Sequence, residues 1–326
     1  MEIFRRYGIG IVLAAFVAIL ARLLDDGGFG SSLLFALLLG MLARPLAESP
    51  DAVAGVDFAS AHLLAVAVAL LGVRLTIGDV AAIGLWPAVV VAAAVAATLV
   101  FGIFAARFLG LSTNLGIIAG SGTAFCGASA AVAVAAVLPK RPGIERDTAL
   151  VIAGVIGLSA IAMVVYPLLV VFLGFDDLHA GIFLGGSIHN VPQAVAAGMT
   201  VSESAGGTAT LTKLFRISLL APFVLTLAVA YGRREGASLT SIEIPWFVIA
   251  FAILLVLGSF GFVPAPLKSA LLTASSWLML AAIAAIGMHT SLEAMRTVGA
   301  RVLVLLVLNS LVLAALLLAA ALLGIV

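Results

Sequence analysis

Two basic side chains, Lys213 and Arg216, stand three positions apart within the apolar run TLTKLFRISLLAP, and so share one face of a helix. A charge at bilayer depth costs between about 3 and more than 10 kcal/mol, so it is expected to meet a wet cavity, a counter-charge or a ligand, unless it snorkels to the interface. All fifteen acidic residues fall at or near the ends of apolar runs. With no carboxylate available inside, an anionic ligand is the natural complement.

The stretch GGSIHNVPQAVAAG gathers the remaining polar donors. Asn190 and Gln193 donate amide hydrogens, and His189 donates from a ring nitrogen or holds a proton. A lone histidine in an apolar helix is commonly a satisfied core residue; the adjacent amides favour a polar pocket. A helix restarting at Pro192 would direct free backbone N–H groups and a positive dipole end at the break marked by Gly185, Gly186 and Ser187. In GIIAGSGTAFCGASAAVAVAA, Gly120, Ser121, Gly122 and Thr123 are expected to add a backbone nest and hydroxyl donors. Close helix packing is the competing reading of these glycines. Cys126 reads as a small packing residue.

These residues need a membrane scaffold to position them. The chain has 326 residues, 64% of them hydrophobic and 10% charged, against roughly 25% charged in soluble domains. Mean hydropathy is +1.33. About eleven apolar segments follow one another, near 7–24, 29–46, 61–77, 80–108, 112–138, 145–173, 178–200, 206–231, 244–262, 266–288 and 299–325. The expected fold is an all-α polytopic membrane protein in one domain, residues 1–326, with ten or eleven transmembrane helices, some of them discontinuous. Lys and Arg lie in short clusters between segments, which sets topology and gives no basis for nucleic-acid binding.

Segments 112–138 and 178–200 are the candidate broken helices, because Gly costs about 1 kcal/mol and Pro about 3 kcal/mol in a helix interior. They align with each other, GIIAGSG on GIFLGGS. A second echo sets GVRLTIGDVAAIG against GMHTSLEAMRTVG, at a spacing that conflicts with the first. The expected topology has both broken segments crossing, with the N-terminus inside. That leaves KRPGIER on the unfavourable side, which two re-entrant hairpins would correct.

At GTAFCGASA, GGSIHNVPQAVAAG, ATLTKLFRISLLAP, LLGVRLT and SSWLMLAAIAAIGMHTSL the chain resembles the YeiH-like sulfate exporter family. The resemblance implies an inner-membrane secondary carrier, distantly similar to bile acid symporters and sodium/proton antiporters, with two crossing discontinuous helices. It also raises segment 266–288, around Ser275 and Ser276, as the second crossing helix, with the His-Asn-x-Pro-Gln stretch as a pocket wall. The expected function is export of a small inorganic or sulfur-containing anion by alternating access. A cation-coupled organic acid carrier and a passive anion channel are the alternatives. No catalytic triad, phosphate loop or metal-ligand cluster is present in the sequence, so neither enzyme activity nor a cofactor or metal is expected. The expected partners are the anion and the bilayer, with a homodimer left open.

Overall fold

The computed structural model describes residues 2–27, 32–78, 84–139, 141–232, 246–289 and 298–326. In chain order its helices are α1 (Glu2–Asp26), α2 (Ser32–Leu42), α3 (Arg44–Ala47), α4 (Val53–Phe58), a π-helical turn (Ala59–Leu63) and α5 (Leu64–Leu71). They continue as α6 (Leu85–Phe108), α7 (Thr113–Ala124), α8 (Ala128–Val137), α9 (Ile144–Phe172), α10 (Asp177–Ser187) and α11 (Val191–Val201). The last are α12 (Glu203–Ser218), α13 (Leu220–Gly232), α14 (Trp246–Ser259), α15 (Ala265–His289) and α16 (Ala300–Leu322). No strand occurs among the described residues. Among the described residues seven helical stretches are long and apolar enough to cross a membrane: α1, α4 to α5, α6, α9, α12 to α13, α15 and α16. Side chains such as Phe16, Phe104, Leu168 and Leu311 stay exposed on them, as lipid-facing residues do.

The chain forms two compact units. One comprises residues 1–82 and 244–291. Its helices meet through glycines with no room for a side chain. A Cβ on Gly40 would lie 2.2 Å from the Ala284 carbonyl oxygen, and one on Gly55 equally close to that of Tyr7. Ser275 donates to the Ala67 carbonyl at 2.7 Å, tying α15 to α5. Helix α15 is unbroken from Ala265 to His289, which removes segment 266–288 as the second discontinuous helix. Its Ser276 hydroxyl folds back on its own helix, at the Leu272 carbonyl. Half of the second internal echo, residues 79–83 and 290–297, lies outside the described residues.

The other unit comprises residues 83–243 and 292–326 and contains both glycine-rich segments. Each is broken, and neither crosses. Helix α7 starts from the Ser112 cap, whose hydroxyl accepts the Leu115 N–H, and α8 ends just before Pro139. Arg141, beyond α8, donates to the Ser112 hydroxyl at 2.9 Å and pairs with Asp147. The chain has therefore returned to the end it left. Likewise Asp176 caps α10, and the Ser202 hydroxyl after α11 reaches back to Asp177 at 2.7 Å.

Legs of 10 to 12 residues span about 15–18 Å at 1.5 Å per residue, half the thickness of a bilayer core. The 29-residue α9, about 43 Å long, joins the mouth of the first hairpin to that of the second. The two hairpins consequently enter from opposite ends and meet halfway. The expectation that both segments cross is overturned, because each break reverses the chain instead of bending it. The GIIAGSG and GIFLGGS echo marks the first legs of these two oppositely directed hairpins.

Candidate functional site: the meeting point of two hairpin tips

The first tip is Phe125 to Gly127, where Gly127 takes φ +72°. A side chain would be strained there, and a Cβ would strike the Asn190 Oδ1 at 2.4 Å. The second tip is Ile188 to Asn190, all in extended conformation or bends, after which Pro192 sits in the first turn of α11. The tips are bonded together. His189 Nδ1 lies 2.9 Å from the Thr123 carbonyl oxygen, which can only accept, so this nitrogen donates. Its Nε2 lies 2.8 Å from Ser310 Oγ on α16, and the Asn190 backbone N–H donates to Ser159 Oγ at mid-length of α9.

Reversing a helix mid-membrane leaves its last carbonyls without partners. Lys213 and Arg216, fully buried on α12, supply the missing donors. Lys213 Nζ donates to the carbonyls of Phe125 at 2.9 Å and Ile188 at 2.5 Å. Arg216 donates from Nε to Ala124 at 3.0 Å, from Nη2 to Thr123 at 2.8 Å, and from Nη1 to Ile188 at 3.0 Å and Gly185 at 3.3 Å. The two cations thus cap the negative dipole ends of α7 and α10 together. No carboxylate pairs with either one among the described residues. One N–H of the Lys213 ammonium and one of the Arg216 guanidinium remain beyond these bonds.

The positive ends of α8 and α11 lie on the other side of the same tips. Neither has a side-chain cap. Asn190 Nδ2 donates to Gln193 Oε1 at 3.0 Å, while the Asn190 oxygen rests on Gly127. The Gln193 Nε2, completely buried in the first turn of α11, has no hydrogen-bond partner. A buried amide donor without an acceptor costs about 1–3 kcal/mol, so its persistence beside two uncapped helix starts marks a place for an acceptor. Cys126, Ala128, Ser129 and Asn190 are the residues of this region that are not buried.

The structure brings together His189, Asn190, Gln193, Lys213, Arg216 and the end of α7, in differing roles. Gly120, Ser121, Gly122 and Thr123 are helical and form no nest. The Ser121 and Thr123 hydroxyls bond back to Ile118 and to Ala119 and Gly120. Gly120 lies against Leu99 of α6, and Gly122 against Val151 of α9. Similarly Gly185, Gly186 and Ser187 complete the last turn of α10, one step before the break. Gly185 is in contact with Ala209 and Gly186 with Leu317, so close packing accounts for them. Sequence reasoning missed Gly127, Ser159 and Ser310. It also missed Asn309, a buried amide on α16 whose two polar atoms are unpartnered, in an otherwise uniform apolar segment. Among the described residues no cluster suited to a metal ion occurs.

Comparison with known proteins gives the family. The family described as conserved hypothetical protein 698 matches residues 9–306. The UPF0324 membrane protein TauZ of Paracoccus denitrificans is 42% identical over 303 residues, covering 91% of this chain and 90% of that protein. A UPF0324 membrane protein of Chlorobaculum tepidum is 40% identical over 300 residues, covering 91% and 84%. One from Bacillus anthracis is 33% identical over 309 residues, covering 91% and 88%. No solved structure matches the chain. With its apolar helices and its bacterial relatives, this multi-pass membrane protein belongs to the UPF0324 family.

Proposed function

We propose that the protein is a secondary carrier that moves a small anion across the bacterial inner membrane by alternating access, the anion resting between the hairpin tips. The observation that carries this reading is the charge at the tips. Two buried cations face four helix ends of about half a charge each, two negative and two positive, so the ends cancel and a formal charge near +2 stays unanswered. An anion supplies the balance, and the unpartnered Gln193 amide and the starts of α8 and α11 supply its donors.

Lys213 and Arg216 act here through their field and their single remaining N–H groups, since most of their donors hold the tips. His189 serves as the joint between hairpins, with both ring nitrogens engaged. The TauZ name of one relative and the resemblance to sulfate exporters both favour a sulfur oxyanion. Nothing in this arrangement calls for bond-making chemistry, and the reading is transport without a cofactor.

Orientation follows from the hairpin-bearing unit. Arg107, Arg141, Arg146 and Arg301 gather at the mouth of the first hairpin, whereas Asp176, Asp177 and Glu203 lie at that of the second. The positive-inside rule places the arginine end in the cytoplasm. Among the described residues this reading has seven long crossings and two re-entrant hairpins.

The test is uptake of labelled sulfate and sulfite into inside-out vesicles, with and without a counter-anion in the lumen. Saturable uptake that Gln193→Leu abolishes supports the carrier. Equal uptake by vesicles lacking the protein contradicts it.

A further inference from the structure

We propose that Arg107 and Arg301 hold the phosphate of an anionic phospholipid at the mouth of the first hairpin, its acyl chains lying along α6 and α16. This lipid site is distinct from the anion site at the hairpin tips and stands without the carrier reading.

Each arginine ends an exposed apolar stripe. On α6 the exposed residues Val100, Phe104 and Phe108 recur every fourth position, and Arg107 follows Phe104 by three, on the same face. On α16 the exposed series is Arg301, Val304, Leu308 and Leu311, at spacings of three and four. The apolar members call for hydrocarbon around them, whereas a guanidinium at the end of the stripe belongs at the level of the headgroups. Phe108, 92% exposed beside Arg107, is an aromatic side chain at that same boundary.

The two stripe ends meet. Gly110 closes α6 with its N–H on the Arg107 carbonyl, and Arg301 Nη1 lies 3.9 Å from the position that a Cβ on Gly110 would take. Arg107 Nε donates to Thr113 Oγ1 at 3.2 Å. Among the described residues its terminal nitrogens and all those of Arg301 have no protein acceptor, and no carboxylate pairs with either cation. Arg141, at the same mouth, is answered by Asp147, and Arg22 and Arg44 of the other unit by acids one turn away.

Two guanidinia without counter-charge, at the polar edge of two apolar stripes, fit a phosphodiester that continues into a diacyl tail. A soluble anion would meet the cations and leave the stripes unused. Through Thr113, the first residue of α7, the same lipid braces the start of the hairpin.

The test is native mass spectrometry of the purified protein titrated in detergent with phosphatidylglycerol or phosphatidylcholine, with melting temperatures read in parallel. Native protein is expected to bind phosphatidylglycerol in preference and to melt higher with it, saturably. The Arg107→Gln/Arg301→Gln double variant should lose about thirtyfold in affinity for phosphatidylglycerol, the scale of two interfacial charges, and Arg107→Lys/Arg301→Lys should retain most of it. Arg22→Gln, which removes a cation already paired with Asp25 and Asp26, should bind as native protein does. Glycerol 3-phosphate, which carries the phosphate without the chains, should leave the melting temperature unchanged. Equal binding of the two lipids, undiminished binding by the Gln double variant, equal losses in the Lys and Gln double variants, or a rise with glycerol 3-phosphate matching that with the lipid would overturn the proposal. None of these outcomes alters the response to sulfate, so the carrier reading stands or falls separately.

Discussion

His189, at the tip of one hairpin, donates to the carbonyl of Thr123, in the last turn of the helix that leads to the other tip, across 2.9 Å and 66 positions of sequence. The same carbonyl also accepts from Arg216 at 2.8 Å. Two half-helices that end in the middle of a membrane are therefore closed by side chains from outside themselves, and their integrity depends on those donors.

The first consequence concerns Arg216. Its loss strands the carbonyls of Ala124 and Gly185 and takes one of two donors from those of Thr123 and Ile188, which keep His189 and Lys213. At about 1–3 kcal/mol for each buried acceptor left without a donor, Arg216→Met should remove most of the folded protein. Arg216→Lys, which restores some of the bonds, should recover part of it. Fluorescence-detected size exclusion after detergent extraction reads the effect. A full yield of monodisperse Arg216→Met would show that the clamp is dispensable.

Acid stability should depend on Asp176, outside the spans at the mouth of the second hairpin. The backbone N–H of His179, and then its ring at 2.6 Å, hold the Asp176 carboxyl below its ordinary range. A lowered carboxyl contributes stability that is present above its unfolded value of about 3.9 and is lost as pH falls through the folded value. Asp176→Asn, still able to cap α10, should be less stable than native protein near neutrality, and the difference should narrow below about pH 4. Melting temperatures across pH check this, and a difference independent of pH would exclude the carboxylate as its cause.

The hairpins themselves predict a labelling pattern. In a Cys126→Ala background, cysteines at Leu111 and Pro139 flank the first hairpin, and cysteines at Phe175 and Ser204 flank the second. An impermeant maleimide should reach the first two in inside-out vesicles and the last two in right-side-out vesicles. Opposite accessibility within either pair would mean that the segment crosses.

Much of this architecture was legible in the residues. Continuous apolar runs announce the helices, and the Gly and Pro content of 112–138 and 178–200 announces their breaks. A kinked crossing and a re-entrant hairpin, however, carry the same local signals, and the bonds that distinguish them, Arg141 to Ser112 and Ser202 to Asp177, join residues 29 and 25 positions apart. Lys213 and Arg216 were recognisable as out of place in an apolar run. Their carbonyl partners lie as many as 93 positions away, and a backbone acceptor leaves no mark in composition, so the cations read as ligand contacts before they read as clamps. The glycines point to close packing and to breaks alike, and only Gly127 among those in the tip regions adopts the positive φ of a chain reversal.

The central claim, an anion held at the hairpin tips, is tested most directly by the melting temperature of purified protein titrated with sodium sulfate against sodium chloride at matched ionic strength. A ligand of the folded state stabilises in proportion to RT ln(1 + [L]/Kd), about 2.7 kcal/mol at a hundredfold excess over Kd. Native protein should show a saturable rise with sulfate. Gln193→Leu, which removes the unpartnered donor together with the oxygen that accepts from Asn190, should still fold, with some loss of stability, and should lose that rise. An equal response of both proteins to sulfate, or the same response to sulfate and chloride, would contradict the account.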